Sequence, residues 1–478
     1  MTICKAALLT CLPIVFAACG FQQYVAKPID ASTVAHKIEN RRPDDSQFHQ
    51  FLISNGYAPD QLPTQQWDLD ELIYCALFFH PSLDVARAQW RAAEAAKLVA
   101  AEKPKPTIKG NVANSNNANN DISPYALGLS IDIPIETADK RNIRIENAEH
   151  LSLAARLKIA QTAWQIRNQV AQSLYEYQFN QQQIKLLTAE QSQRQNIVAI
   201  YQKRISLGES SNIELSTAKL QLQMITTELN DKQRNQLVLQ SKLASSLGLS
   251  ISQLAKMPLA DTVNIEPLAS SLINNQAAPS DIQSRALLNR LDIRIALERY
   301  AAAEAKLKLE IAKQYPDISI SPGYAYEFGN KVWSLGLSSL LTLLNKNKLA
   351  IAEATQLREV EAAQFEALQA SVISEVNIAN AKLAQANQIL ENQKNLYRQQ
   401  QQNTQRMERR LLAGEIDRLE LTYAKLEETV AEKNVALGQF QLESAINELE
   451  NALQLPLIDS RIKNEKIENL SLDNSSLR

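Results

Sequence analysis

The chain runs to 478 residues, 45% hydrophobic and 21% charged, enough for a large core or several domains. Its 50 Lys and Arg nearly cancel its 52 Asp and Glu, which removes the electrostatic case for nucleic acid as a partner. Only 11 glycines, set against long tracts rich in Ala, Gln, Leu, Glu and Asn, suit extended helices better than a compact α/β enzyme.

The first residues, MTICKAALLTCLPIVFAACG, carry one early Lys, an apolar run from Ala6 to Phe16 and small residues before Cys19. This resembles a bacterial lipoprotein signal over residues 1–18, with Cys19 as the lipid attachment point of an anchored segment, 19–67. An ordinary signal cut nearby, with Cys19 incidental, is the alternative. Gly20 carries no acidic retention signal for the inner membrane, so the resemblance implies an outer-membrane destination. Cys4 and Cys11 would leave with the signal. A lipidated Cys19 then leaves Cys75 alone in LIYCALFF, with no intrachain disulfide and the role of a buried apolar filler. Beyond the signal no apolar run reaches about 18 residues, so any crossing of a bilayer must be made by strands.

From there the chain is written twice. RISLGESSNIELSTAKL, from Arg204, aligns with RLLAGEIDRLELTYAKL, from Arg410. LGLS recurs at Leu127 and Leu335, Leu83-Asp84 at Leu291-Asp292, and Pro106 at Pro316, all at an offset of about 208 residues. The two repeats span 68–247 and 281–455, with a Pro, Asn and Ser-bearing connector packed on the outside at 248–280 and a loose polar tail at 456–478.

Each repeat reads as helix, strand, strand, long helix, helix. The first helix is expected at Asp68–Lys103 and Asp281–Tyr315. The long helix, about Thr137–Leu207 and Asn345–Ala413, has roughly 70 residues and a length of about 105 Å. Phe365, Leu368, Val372, Val376, Ala379, Leu383, Ala386 and Leu390 form its stripe in the second repeat, the seam of an antiparallel coiled coil. Gly208 and Gly414 sit where each long helix must stop in a left-handed conformation before a second helix runs back.

Four segments between the helices alternate with period two: 106–114, 125–135, 317–327 and 332–341. One face holds Ile108 and Val112, then Leu127, Leu129, Ile131 and Ile133, then Ile318, Ile320, Tyr324 and Tyr326, then Trp333, Leu335 and Leu337. The other holds Lys109, Asn111, Gly128, Ser130, Asp132, Ser319, Ser321, Gly323, Ser334, Gly336 and Ser338. Each segment has the length of a tilted membrane strand, with Tyr125, Tyr324, Tyr326 and Trp333 as interfacial anchors. Alternation fits a half-buried soluble sheet as well. In lipid, however, a sheet cannot leave an edge unpaired, and closed barrels need about eight strands or more. The chain must then pool strands with copies of itself. Two copies make a barrel filled by side chains, and three make one of twelve strands with an open lumen. The loops at Ser115–Asp121 and Glu327–Lys331 would face outside.

The duplication, the strand pairs, IPIETADKRNIRIENAE after the second strand, and the paired R-x-x-x-G-E turns together resemble the TolC-like outer-membrane factors of tripartite efflux pumps and type I secretion. FFHPSLDVARAQW and IPIETADKR look most like the branch serving heavy-metal pumps of the RND type. The resemblance implies a mainly α fold with a small β part: a homotrimer whose 12-stranded transmembrane β-barrel continues as a coiled-coil barrel. It would be a passive exit duct for small toxic solutes or metal ions, in outer-membrane lipid, docked on a periplasmic adaptor and an inner-membrane pump.

Positions matching the family's docking tips are Arg204, Gly208 and Glu209, with Arg410, Gly414 and Glu415. Each Arg could reach across a contact, or cap its own helix C-terminus. Glu214, Asp417 and Glu420 lie just beyond the turns, where threefold symmetry would make carboxylate rings; helix-start carboxylates favoured by the dipole are the plainer reading. Glu420 matches one family gate carboxylate, and the second acidic position falls on Tyr423. The four His residues are scattered, no Met or Cys cluster suggests metal ligation, and no cofactor is expected. Neither GxSxG, HExxH, CxxC nor a phosphate-cradling Gly loop occurs, which makes an enzyme the weakest reading. A non-spanning periplasmic coiled-coil protein is the main competitor.

Overall fold

The computed structural model describes residues 22–62, 65–116, 123–260, 287–339 and 346–457. The signal, Cys19, most of the connector and the tail lie outside them. Two compact units are present, Met1–Arg41 and Arg42–Arg478. In the first, helix α1 (Ala31–Glu39) starts at Asp30, whose carboxylate accepts from the Ser32 and Thr33 N–H groups.

The second unit begins with α2 (Ser46–Ser54) and α3 (Leu69–Phe79). Asp68 and Glu71 cap α3 reciprocally: Glu71 N–H donates to Asp68 at 2.9 Å and Asp68 N–H donates to Glu71 at 2.7 Å. The helix LDELIYCALFF is apolar nearly all round and is buried, Cys75 included. Burial pushes the Cys75 thiol far above its ordinary range. The helix expected at 68–103 is in fact two, α3 and α4 (Pro81–Ala100). Pro81 has no N–H to continue α3 and forces His80 into an extended conformation, then serves α4 as its first residue.

Within residues 42–67, Phe48, Phe51, Leu52, Tyr57 and Trp67 join the core. Phe48, fully buried, packs against Phe78 and Phe79 at ring distances of 5.4 and 5.6 Å. The described part of the connector lies at the surface, with Ile251, Lys256 and Pro258 exposed, and turns a few side chains inward. Leu249, Leu254 and Met257 are buried, and Trp67 exchanges main-chain hydrogen bonds with Pro258 and Ala260 at 2.8 and 2.9 Å. The sequence shows no periodicity there because its one helix is a single turn, Ile251–Leu254, too short to repeat a pattern.

Strands β1 (Thr107–Asn114) and β2 (Tyr125–Ile135) lead into α5 (Lys140–Ser206) and α6 (Asn212–Leu247). A short α7 (Ile251–Leu254) follows. The second repeat gives α8 (Leu291–Ala312), β3 (Ile318–Glu327), β4 (Asn330–Ser339), α9 (Lys348–Leu412) and α10 (Arg418–Leu453). At 67 and 65 residues, α5 and α9 each reach about 100 Å. The α9 seam packs as its periodicity demands: Val372, Val376, Ala379, Leu383, Ala386 and Leu390 are all buried. Gly438 on α10 lets the two backbones close in, since a Cβ there would sit 3.2 Å from the Leu390 Cα.

Polar contacts tie one repeat to the other inside this body. Arg167 on α5 and Glu450 on α10, both 2% exposed at the side chain, pair at 2.6 Å. Asn168 and Asn447 exchange amide hydrogen bonds at 3.0 to 3.4 Å. Glu190 accepts from Arg194 and, across the bundle, from Lys433 at 2.9 Å. Each needs a single axial alignment of its helices, so together they fix helix register where apolar packing alone would tolerate a slip.

Candidate functional site

The four strands form one antiparallel sheet in the order β1-β2-β3-β4, so the repeats meet at β2 and β3, while β1 and β4 are its edges. The register puts Ile108 opposite Ile131, Leu129 opposite Tyr324, Ile133 opposite Ile320 and Leu335 opposite Pro322. The expected apolar face is therefore continuous across all four strands, and it is bare. Leu127 and Leu129 are 53% and 59% exposed, Trp333 is 82%, and Leu335 and Leu337 are 75%. Ile131, Ile133 and Ile318 are also exposed, with Ile320 half-buried. Tyr324 and Trp333 rings lie 4.8 Å apart.

The other face is crowded by small groups. A Cβ added at Gly128 would come within 2.1 Å of Asn111, one at Gly323 within 2.7 Å of Ser334, and one at Gly336 within 3.3 Å of Ser321. Room is thus scarce on the polar side and open on the apolar side, as in a sheet curling with its polar face inward. Asp132 accepts there from Ser321 at 2.8 Å and from Lys109 at 3.1 Å.

The expected loop Glu327–Lys331 contracts to a two-residue turn. Phe328 and Gly329 both have positive φ, 50° and 103°, the turn whose twist suits adjoining strands, and β4 starts at Asn330. The strand thus begins two residues before its expected start, because Asn and Lys alternate less visibly than Trp and Leu. Most of the loop after β1 lies outside the described residues.

At the far end of the hairpins the two turns are built alike. Glu209 N–H donates to the Arg204 carbonyl at 2.8 Å and Gly208 N–H to Ile205 at 3.0 Å; Glu415 and Gly414 repeat this on Arg410 and Leu411 at 2.9 and 3.0 Å. Gly208 and Gly414 have φ of 78° and 74°, and a Cβ at either would meet nothing within 4 Å, so backbone conformation and not space requires glycine. Gly414→Ala should cost about 1–2 kcal/mol in local stability, read as faster amide exchange at residues 411–416 than in the unsubstituted protein.

Within the chain the two arginines make different ion pairs. Arg204 forms an ion pair with Asp417, the N-cap residue of α10, and so joins the two tips; Arg410 pairs with Glu415 in its own turn at 3.2 Å. Burial alone would raise the Asp417 carboxyl, but the Glu420 and Leu419 N–H groups and Arg204 hold it below the usual carboxylate range. A lowered carboxylate contributes stability above its ordinary pKa, and the tip contact is lost as pH falls through the depressed value.

Among the candidate gate residues, Glu214 is occupied as a cap. Its carboxylate accepts from Ser210 Oγ, then from Ser211 N–H at 2.8 Å, which keeps it below its ordinary range. Tyr423 packs in an apolar cluster at the tips with Leu419, Leu426 and Tyr201. Burial, and then the Tyr201 hydroxyl 3.4 Å away, push it up to about 12. Glu420 and Glu209 are exposed and carry no ion pair among the described residues. The Arg204–Asp417 and Tyr201–Tyr423 contacts had no signal in the sequence, since 213 and 222 residues separate the partners. No helix among the described residues is long and apolar enough to cross a membrane.

Residues 72–249 match the family described as "Outer membrane efflux protein". The cobalt-zinc-cadmium resistance protein CzcC of Cupriavidus metallidurans is 23% identical over 292 residues, 60% of this chain and 65% of that protein. The aligned stretch thus spans somewhat less than two thirds of that relative. Among solved structures, the outer-membrane channel OprN is similar with a TM-score of 0.65 and 17% identity, covering 91% of this chain and 97% of that one. CusC, whose structures concern transmembrane channel formation, matches at 0.65 and 18%, covering 90% and 99%. At such identity these two likenesses speak for the fold.

Proposed function

Because the chain belongs to the TolC-like outer membrane efflux protein family, we propose that it is the outer-membrane exit duct of a tripartite efflux pump. The observation that carries this is the sheet: a bare apolar face four strands wide, two edges unpaired among the described residues, and a crowded polar face, continued by hairpins of about 100 Å. Lipid covers the apolar face, and copies of the chain pair the edges. Three copies supply twelve strands around a lumen lined by Ser, Gly, Lys109 and Asp132, with Cys19 carrying the lipid anchor. The exposed parts of the tips, Gly208, Glu209, Gly414 and Glu415, meet a periplasmic adaptor. The adaptor in turn joins an inner-membrane pump, of RND type, which supplies the energy. The likeness to a cobalt-zinc-cadmium resistance protein supports metal cations as cargo. A duct passes such ions through without ligating them.

Glu420 is the residue we assign to the mouth, because the Glu214 and Asp417 carboxylates are taken up by capping hydrogen bonds and the Glu420 carboxylate, in the first turn of α10, has none among the described residues. Three Glu420 side chains would form a cation-attracting ring. In planar bilayers the protein should give discrete conductances with a cation preference, and Glu420→Gln should reduce that preference and shift the reversal potential toward zero. Absence of any conductance would sink the duct; a variant with unaltered selectivity would sink only the assignment of Glu420.

A further inference from the structure

The two places where a strand hands over to a long helix are built alike and end up in different surroundings. Before α5 the residues Ala138 and Asp139, and before α9 the residues Lys346 and Asn347, are consecutive left-handed positions with φ between 49° and 59°. None is glycine, so this shape is held by its surroundings. Lys140 and Lys348 follow at equivalent positions.

Lys140 is 6% exposed, and its ammonium donates to the Tyr315 carbonyl and to Asp317, both at 2.7 Å. Thr137 adds two bonds to the same segment, to Asp317 and to the Pro316 carbonyl, at 3.0 and 2.7 Å. The handover of the first repeat is thereby locked onto the α8–β3 turn of the second. Lys348 is exposed and has no hydrogen bond or ion pair with the described residues.

Packing runs in one direction through the chain. Helix α4 lies on α5, α5 on α8, and α8 on α9, as β1 pairs with β2, β2 with β3 and β3 with β4. Lodged between α5 and α9, α8 has Ala302 and Ala305 at 3% and 0% exposure. On α4, which lies at the start of the row, Ala92, Ala95, Ala96 and Val99 are exposed. At the other end of the row Leu349, Leu357 and Val360 of α9 are exposed.

We propose that a second copy of this chain completes the lock: its α4–β1 turn, residues 102–107, seats against Lys346–Lys348, and the Lys348 ammonium donates to the main-chain carbonyls of Lys105 and Pro106 there. Pro106 stands where Pro316 stands, and Lys105 where Tyr315 does. Lys105 brings no uncompensated like charge, since it pairs with Glu102 at 3.1 Å. Thr107 replaces Asp317, however, so Lys348 meets carbonyls and a hydroxyl with no carboxylate. The seam between copies is consequently weaker than the seam within one, and it is the joint that parts first.

The inference rests on the trimer of the preceding section, so the mass of the particle in mild detergent is measured first; a count other than three overturns that reading itself. With three copies present, benzoylphenylalanine is placed at position 348 in a chain co-expressed with a tagged, unsubstituted chain. Irradiation should give an adduct carrying the tag, mapped to residues 102–107. Adducts confined to one chain, or reaching other segments of the tagged chain, overturn the proposed lock. Lys348→Glu should also lower the temperature at which detergent-stable trimers part, whereas Lys382→Glu, altering the exposed pair with Glu448 within one chain, should leave it unchanged. Equal parting temperatures for Lys348→Glu and the unsubstituted protein count against it as well.

Discussion

Leu129→Arg removes the protein from the outer membrane. Leu129 lies in the middle of β2, is 59% exposed, and is flanked across the ladder by Gly110 and Tyr324, so the apolar face offers nothing to pair with a guanidinium. A cation at such depth costs roughly 2–4 kcal/mol per chain, and a trimer would carry the penalty three times. The expected readout is loss of the detergent-stable assembly from outer-membrane fractions. Ser338→Lys is the matched comparison, because Ser338 is exposed on the opposite, polar face, where a cation stays hydrated; it should assemble normally. Equal assembly of both variants would mean that the apolar face does not meet lipid, and would favour a coiled-coil protein that does not span the membrane.

Glu450→Ala is the second large effect, and it acts on the helical body. The carboxylate is 2% exposed, binds Arg167 at 2.6 Å, and accepts from the Leu457 N–H at 2.7 Å. Arg167 rests over the Trp164 ring at 5.0 Å, and its Nε finds no acceptor among the described residues, so losing Glu450 leaves a buried cation without its counter-ion. Removing one partner from a buried pair costs about 3–5 kcal/mol, while replacing both by apolar groups of similar size is often neutral or better. Chemical denaturation should show that loss for Glu450→Ala and recovery of most of it in Arg167→Met/Glu450→Leu. A single variant with the midpoint of the unsubstituted protein would mean that water or another group already compensates the pair.

Legibility differs from element to element for physical reasons. Strand β2 is readable to both of its ends because a strand with one apolar face must alternate, and YALGLSIDIPI does so without interruption. The α9 seam is readable for the same reason at a period of three to four. The break at Pro81 is masked because the apolar pattern of the helix before it continues beyond it, although its missing N–H ends that helix. The packing of Phe48 and Phe51 into the core is not legible, because they are few and set among polar neighbours and their partners, Tyr74 and Phe78, lie in a different element. At the tips the turn glycines are legible and the pairing of Arg204 with Asp417 is not.

Amphipathic period, turn conformation and the duplication can be read from the chain alone because each is set by residues a few positions apart or by plain repetition of letters. Folding in three dimensions is needed to choose partners: Lys140 with Asp317, Arg167 with Glu450 and Arg204 with Asp417 are separated by 177, 283 and 213 residues. A charged side chain looks the same in sequence whether it is destined for water, a helix terminus or a counter-ion. What decides among these is the desolvation it suffers once helices close around it, and that depends on which segments have become neighbours.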